Sequence, residues 1–290
     1  MLLSVVIPIG NLERDYENLK SIINSAPKNG VELVLVLDTA EKSAFKQLGE
    51  LCKTEKSRHY KILDCGERNP GSSRNLGIKA ADGKWIMFCD SDDMPIFSNL
   101  LNEISQTNDV YDIVIGSFLS ENNFGKKIPK SLIESDSPTN WYLISLNPGL
   151  WRWLIRKNLI EHITFPKLSI GEDQFFLIKL LSATTQIRFT SEFFYVYRTN
   201  IQGSLTNDKT KIADLSKNIE LEISYMRAIN SQNSTANSMI FRQIVTLFKN
   251  GNIRLKLLAV LLCIKFFLLL SSSEKSSVIN FGFRLFREHN

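Results

Sequence analysis

Three carboxylates fall within four residues at Asp90-Ser91-Asp92-Asp93, directly after the apolar run Trp85–Cys89. At the end of a buried strand they repel one another, and a hard divalent cation relieves that cost. Mg²⁺ or Mn²⁺ prefers oxygen ligands and shares them with substrate phosphates. Held there, such an ion neutralises charge on a departing diphosphate. The same residue types cap helices, and a helix begins near Pro95, so the acids alone also read as a solvated capping turn. Their position behind a hydrophobic strand favours the cation.

Upstream, Asn69-Pro70-Gly71-Ser72-Ser73-Arg74-Asn75-Leu76-Gly77 leads small residues into a helix N-terminus. Free N–H groups and the helix dipole favour an anion there, and Arg74 and Asn75 add side-chain donors. Taken alone, the stretch is also an ordinary Gly/Ser helix start. Downstream, Glu172-Asp173 opens the helical run Gln174–Leu181. A carboxylate placed there can activate a hydroxyl once water is excluded, although acids in a first turn are also simply stabilised by the dipole. Trp141, Tyr142, Trp151 and Trp153 offer flat apolar faces for a sugar, or fill a core.

These residues need a frame to position them. Leu2–Ile7, Val31–Leu37, Tyr60–Leu63 and Lys84–Cys89 read as strands, with helical spacing over Glu13–Ser25, Ser43–Thr54 and Ser73–Ala81. Apolar strands alternating with helices imply a mostly parallel, Rossmann-like α/β sheet covered on both faces. Ligands of such sheets bind at the carboxyl ends of the strands, and Asp38 and Asp90 sit at two such ends. Asp112–Phe118 is a further strand, Ser120–Thr139 a polar loop, Trp151–Ile160 an aromatic-rich helix and Phe193–Tyr197 a short strand. From about Asp208 onward the pattern is helical. Leu255–Leu270 is strongly apolar but broken by Lys256 and Lys265, too short for a bilayer core of ~30 Å. With Arg254, Lys275, Arg284 and Arg287 it suits a helix lying in a membrane interface. A helix packed on the domain or on a second subunit fits equally.

The bulk composition narrows the partners. The 290 residues are 43% hydrophobic and 22% charged, with a formal net charge of +5. Spread so thinly, that charge points away from nucleic acid and is compatible with an anionic substrate or membrane surface. The four cysteines have no CxxC spacing and there are three histidines, so a zinc site has almost nothing to be built from. Met1–Ile9 lacks the basic start and cleavage site of a signal peptide and reads as a first buried strand, so the expected location is the cytoplasmic side.

The order of these segments carries a resemblance. Gly71-Ser72-Ser73-Arg74-Asn75, Ala80-Ala81-Asp82-Gly83 and Phe88-Cys89-Asp90-Ser91-Asp92-Asp93 look like the central signature of family 2 glycosyltransferases of the GT-A fold. Ser4-Val5-Val6-Ile7-Pro8 resembles the family's opening strand, and Val34-Leu35-Val36-Leu37-Asp38 its second. Gly171-Glu172-Asp173-Gln174 resembles the Glu-Asp motif, and Phe194–Arg198 with Ser204-Leu205-Thr206 the aromatic-Arg closure. The likeness covers about residues 2–207. It implies a GT-A catalytic domain over 1–207, with a donor half (1–118) and an acceptor half (119–207), and a helical extension over 208–290 that associates with membrane or dimerises.

The resemblance also implies roles. Pro8, Asp38, Arg74, Asp90, Ser91 and Arg198 would line the nucleotide-sugar, with Asp38 accepting from the base, which is uracil in the expected UDP-sugar. Asp92 would ligate Mn²⁺ or Mg²⁺ directly, and Asp90 would join its shell. Asp173 would be the general base with Glu172 steadying it, Arg198 would help the diphosphate leave, and Trp151 or Trp153 would lie near the acceptor. Two departures sit in the base pocket: Gly10 replaces a stacking aromatic, and Leu37-Asp38-Thr39-Ala40 replaces paired aspartates. The expected activity is inverting transfer of a sugar to a hydroxyl of a saccharide acceptor, a lipid-linked intermediate of surface polysaccharide synthesis at the inner membrane face. A nucleotidyltransferase would need a basic Gly-rich loop after the first strand, and Ile9-Gly10-Asn11-Leu12 offers little of that kind. The remaining alternative, an inactive nucleotide-sugar-binding scaffold, runs against the intact Asp90, Asp92, Asp173 and Arg198.

Overall fold

The computed structural model describes residues 1–38, 42–53, 59–122, 124–130, 133, 137, 139–168, 170–199, 212–230 and 233–287. Thr39-Ala40 and Ser204-Leu205-Thr206 lie outside the described residues. In chain order the first elements are β1 (Leu3–Ile9), α1 (Leu12–Ser25), β2 (Val31–Leu37), α2 (Lys42–Lys53), β3 (His59–Asp64), α3 (Pro70–Ala80) and β4 (Trp85–Phe88). Then come β5 (Met94–Pro95), α4 (Phe97–Gln106), β6 (Ile113–Glu121), β7 (Lys127–Lys130), α5 (Asn140–Leu146), β8 (Trp153–Arg156) and α6 (Lys157–Ile160). The chain ends with α7 (Glu172–Ala183), β9 (Ile187–Arg198), α8 (Ile212–Ala228), α9 (Ser234–Asn250), α10 (Ile253–Leu269) and α11 (Ser272–Arg287). Two compact units result: Met1–Asp136 with Gly149–Lys167 and Gln186–Gln202, and Ser137–Pro148 with Leu168–Thr185 and Gly203–Asn290.

The first unit holds one sheet of order β3-β2-β1-β4-β8-β6-β9-β5, with β7 paired to β6. The four strands β3, β2, β1 and β4 are parallel. Of these, β2, β1 and β4 are apolar almost throughout, as strands covered on both faces must be, whereas the edge strand β3 is half-exposed and more polar. Gly77 lets α3 lie against β1, since a Cβ there would stand 2.3 Å from Val6 Cγ1. On the other side of β4 the sheet becomes mixed: β8 runs antiparallel to both β4 and β6, and β9 parallel to β6. Trp151–Ile160 is therefore not one helix. A 3₁₀ turn over Leu150–Arg152 delivers Trp153-Leu154-Ile155 as a fully buried strand between β4 and β6. An apolar run that short does not distinguish buried strand from buried helix, and sheet pairing decides it. Likewise, the short strand expected at Phe193–Tyr197 is the end of the twelve-residue β9.

The second unit is helical. α8 and α9 bury polar groups among their apolar ones, including Asn218, Glu222 and Gln243. α10 buries only Ala259, Leu262 and Phe266. Among the described residues no helix is long and apolar enough to cross a membrane.

Candidate active site

The acidic turn follows β4, the strand whose neighbour β1 delivers α1. α1 starts cleanly because Asn11 caps it, its side chain accepting from Arg14 N at 2.9 Å. The apolar stripe of α1 (Leu12, Leu19, Ile22) is broken by Asp15, which is equally buried. Asp15 receives the Arg14 guanidinium, Nε to Oδ1 at 2.6 Å and Nη2 to Oδ2 at 2.9 Å, and the Ser91 hydroxyl at 2.6 Å. One turn on, Asn18 Nδ2 donates to the carbonyls of Ser91 at 2.8 Å and Asp93 at 2.7 Å. The turn is thus clamped by α1.

Its three carboxylates have separate fates. Asp93 is 1% exposed and turned inward, accepting the Arg198 backbone N–H at 2.7 Å. Burial, with repulsion from Asp90, pushes its carboxyl up to about 8. Asp90 and Asp92 keep partly open side chains, facing Arg74 at 3.1 Å and Arg14 at 3.5 Å. Burial first and Asp90 second push Asp92 up to about 6, so a cation would be welcome beside it. Among the described residues no group of three or more His, Cys, Asp or Glu is arranged to hold a metal. An ion using one or two carboxylates and completing its shell with phosphate and water does not need one. The oxygen-only pair Asp92 and Asp90 fits that mode.

At the end of β2, Asp38 is nearly buried, and burial raises its carboxyl, with the nearby Arg68 N–H pulling the other way. Its Oδ1 is buried without a hydrogen bond among the described residues. An acceptor in that state calls for a donor from a ligand. Pro8 lies beside it in β1, paired in register with Val36. α3 begins at Pro70 under an Asn69 cap that accepts Ser72 N at 3.0 Å, and Gly71 packs so close to Pro166 that a Cβ would stand 2.6 Å from its carbonyl.

The closing strand β9 approaches the turn from behind. The Tyr195 hydroxyl accepts Asp90 N at 3.0 Å. The Arg198 guanidinium donates to Glu121 Oε2 at 2.9 Å and to Asn18 Oδ1. Trp151 stacks on Tyr195 at 4.7 Å and on Tyr197 at 5.5 Å, which leaves it half-buried. Trp153 is fully buried in β8, so the expectation that it meets an acceptor is corrected: its ring has no face left for a sugar. The buried run Trp153-Leu154-Ile155 put it in the core.

Glu172 and Asp173 are described within the second unit. Gly171 sets them at the start of α7 with φ +84°, and a Cβ there would meet Asn218 Nδ2 at 2.7 Å. Asp173 Oδ1 accepts Gln174 N at 2.8 Å, while Arg242 Nη2 donates to Gln174 Oε1 at 2.5 Å. Below lies a buried network: Asn218 Nδ2 and Gln243 Nε2 each donate to Glu222 Oε1 at 2.8 Å. Sequence reading missed Asp15, Asn18, Asn218, Glu222 and Gln243. The available signal was a polar residue on an otherwise apolar helical stripe.

A sheet with a parallel half and a mixed half, flanked by helices and followed by a helical C-terminal region, is the α/β architecture of the GT-A fold. Residues 4–180 match glycosyl transferase family 2, and the chain belongs to that family. It is 29% identical over 215 residues to a poly(ribitol-phosphate) beta-glucosyltransferase of Bacillus spizizenii, covering 70% of this chain and 33% of that protein. It is 24% identical over 223 residues to the putative glycosyltransferase EpsH of Bacillus subtilis, covering 72% of this chain and 64% of that one. The chain thus spans less than two thirds of each of these relatives. In structure it is similar to Staphylococcus aureus TarS 1–349 in complex with UDP-GlcNAc (TM-score 0.71, 17% identity, 96% of this chain and 84% of that one). It is also similar to a Pyrobaculum calidifontis mannosyltransferase in complex with GDP-Man and Mn²⁺ (TM-score 0.57, 14% identity, 97% and 84%). At those identities the likeness is one of fold.

Proposed function

We propose that the chain is an inverting glycosyltransferase that moves a sugar from a UDP-sugar to a hydroxyl of a lipid-linked surface-polymer intermediate. The observation that carries this is the division of labour in the acidic turn, where Asp93 is internal and Asp90 and Asp92 remain open beside two arginines. Asp38 Oδ1 accepts an N–H of the base, while Pro8, Ser91 and the first turn of α3 with Arg74 frame the ribose and diphosphate. Asp92, with Asp90, would hold Mn²⁺ or Mg²⁺, which when bound neutralises the diphosphate. Arg198 contributes through its remaining guanidinium donors as charge develops on the leaving oxygen. Asp173 takes the proton of the acceptor hydroxyl as its oxygen displaces UDP from the anomeric carbon, with Glu172 fixing the pair. Half-buried Trp151 is the remaining candidate for the acceptor side. Relatives named for poly(ribitol-phosphate) support a polyol-phosphate chain as acceptor.

The same reading places the enzyme at the inner face of the membrane, docked through 254–290. Ile253, Leu257, Val260, Leu261, Ile264 and Leu268 form an exposed apolar stripe on α10, with Leu257 62% and Leu268 77% exposed. Arg254, Lys256, Lys265 and Lys275 accompany it. Of the two acids in this segment, Glu274 and Glu288, Glu274 is turned inward, accepting from Asn237 Nδ2 at 2.9 Å. An apolar face with basic flanks matches anionic lipid, and assembly with a second copy is the outcome that would replace it. The test of the whole reading is a hydrolysis screen of nucleotide-sugars with Mn²⁺ or Mg²⁺, alongside UDP titration with and without metal. One donor cleaved slowly and metal-dependent UDP binding are expected. UDP binding indifferent to metal would overturn the metal assignment.

A further inference from the structure

A cavity of about 230 Å³ opens within the second unit among α5, α9 and α11. Its wall includes Thr235 and Ser238, residues only 6% exposed whose hydroxyls have no hydrogen-bond partner among the described residues. Both belong to the first turns of α9. Asn233 caps that helix by accepting Ala236 N at 3.0 Å, which leaves the N–H groups of Ser234 and Thr235 without an intrahelical acceptor. The first turn carries no acid of its own, and the Glu274 carboxylate that meets it at Asn237 is taken up by Asn237 Nδ2 and the Ser271 hydroxyl. Across the cavity, Arg284 lies over the Tyr142 ring at 5.4 Å and has no carboxylate partner among the described residues. Tyr142 is held in turn by the edge of Phe281 at 5.6 Å.

The wall therefore offers hydroxyls, backbone N–H groups and a guanidinium, and no carboxylate. The Thr235 and Ser238 hydroxyls belong to nearly buried residues that line the cavity, and a helix N-terminus beside an arginine favours an anion with several oxygens. The cavity is smaller than the roughly 300–1,000 Å³ of pockets that enclose a whole drug-sized ligand. It suits one group of a longer chain. Trp141 adds a flat apolar face of the kind that C–H edges of a polyol or sugar pack against.

We propose that this cavity binds a phosphate group of the acceptor chain, with the adjoining polyol or sugar against Trp141. The identity of the chain rests on the acceptor reading above, whereas the anion site stands on the cavity itself. Thr235, Ser238 and the α9 N-terminus grip the phosphate oxygens, and Arg284 supplies the countercharge. Binding a unit other than the reacting one holds the polymer while its hydroxyl is presented.

The test titrates the full chain with ribitol 5-phosphate, ribitol and inorganic phosphate, following heat and the indole N–H resonance of Trp141, which is assigned by its loss in Trp141→Phe. Ribitol 5-phosphate should bind and shift that resonance, and ribitol should not. Arg284→Gln should weaken binding at least tenfold. Thr235→Val, which keeps the shape and removes the hydroxyl, should weaken it severalfold. Titration of UDP with Mn²⁺ into the same variants should be unchanged. Equal binding of ribitol and its phosphate, or an affinity untouched by Arg284→Gln, overturns the anion site. Inorganic phosphate binding as tightly as ribitol 5-phosphate, with the same sensitivity to both variants, keeps the anion site and overturns the polyol assignment. Loss of metal-dependent UDP binding in the unaltered chain would count against the donor reading alone.

Discussion

Glu222 is fully buried in α8, and its only hydrogen-bond donors among the described residues are the amides of Asn218 and Gln243, three bonds of 2.7–2.8 Å. Burial outweighs those donors and pushes its carboxyl from 4.5 up to about 8, with Arg242 pulling the other way and Asp173 adding repulsion. The folded chain therefore holds a proton that the unfolded chain has released between those two values. Stability is complete below pH 4.5 and declines as pH rises through about 8. At ~1.4 kcal/mol per pKa unit, the loss by pH 9 is on the order of 3–5 kcal/mol. Glu222→Gln keeps the volume and removes the titration, and its N–H offers a donor to Asn218 Oδ1, which is buried without one. With an unfolding entropy of about 2.1 cal/mol/K per residue, that gain corresponds to a Tm higher by roughly 5–8 °C at pH 9. Near pH 4.5 the two proteins should melt together. Thermal unfolding across pH 4.5–9 reads this directly, and a Tm gap that stays constant over that range refutes a titrating Glu222.

Asp92→Ala should abolish the metal dependence of UDP binding, read by calorimetry; retained dependence would move the ion elsewhere. Asp173→Asn should spare donor binding and lower transfer by at least 10²-fold, and normal turnover would end its assignment as base. Replacing both Leu257 and Leu268 by Asp should release the protein from anionic vesicles in co-sedimentation while a neutral-lipid control stays low. A change in oligomeric state instead would identify a second copy as the occupant. Asp15→Asn should lower stability by about 1–3 kcal/mol in denaturant unfolding, since it leaves the Arg14 fork without its charge partner; an unchanged midpoint would mean the fork contributes nothing.

The segments expected to form a donor side were legible as strand, turn and helix start because those signals are local. The strand–turn sequence Trp85–Asp93, the glycines and cap before Arg74, and Asp38 at a strand end are contiguous signals, and the fold places them where strand ends bind ligands. What escaped was set by long-range pairing. The run Trp151–Ile160 carries buried aliphatics that suit either a strand or a helix, and only pairing to β4 and β6 makes it β8. Trp153 left the acceptor side for that reason. The roles within Asp90–Asp93 were also hidden, because a four-residue window does not reveal that Arg198, 105 residues on, donates its N–H to Asp93.

Two helices put an acid on an apolar stripe, and comparing them explains why the predicted stability changes differ in sign. Asp15 on α1 meets a guanidinium at 2.6 Å and the Ser91 hydroxyl at 2.6 Å, so its charge is matched and the turn above it gains a fixed anchor. Glu222 on α8 meets amides alone within hydrogen-bond distance among the described residues, and with desolvation dominant it keeps its proton at neutral pH. A neutral Glu222 leaves the buried Arg242 charge to act on Asp173, whose pull on Arg242 is the larger of the two acids. Raising the pH through about 8 ionises Glu222, which then competes for that charge beneath the Gly171 turn that aims Glu172 and Asp173. The buried proton therefore couples the helical network to the Glu-Asp pair. An alkaline limb in the pH–rate profile near 8 should follow from it, and Glu222→Gln should remove that limb.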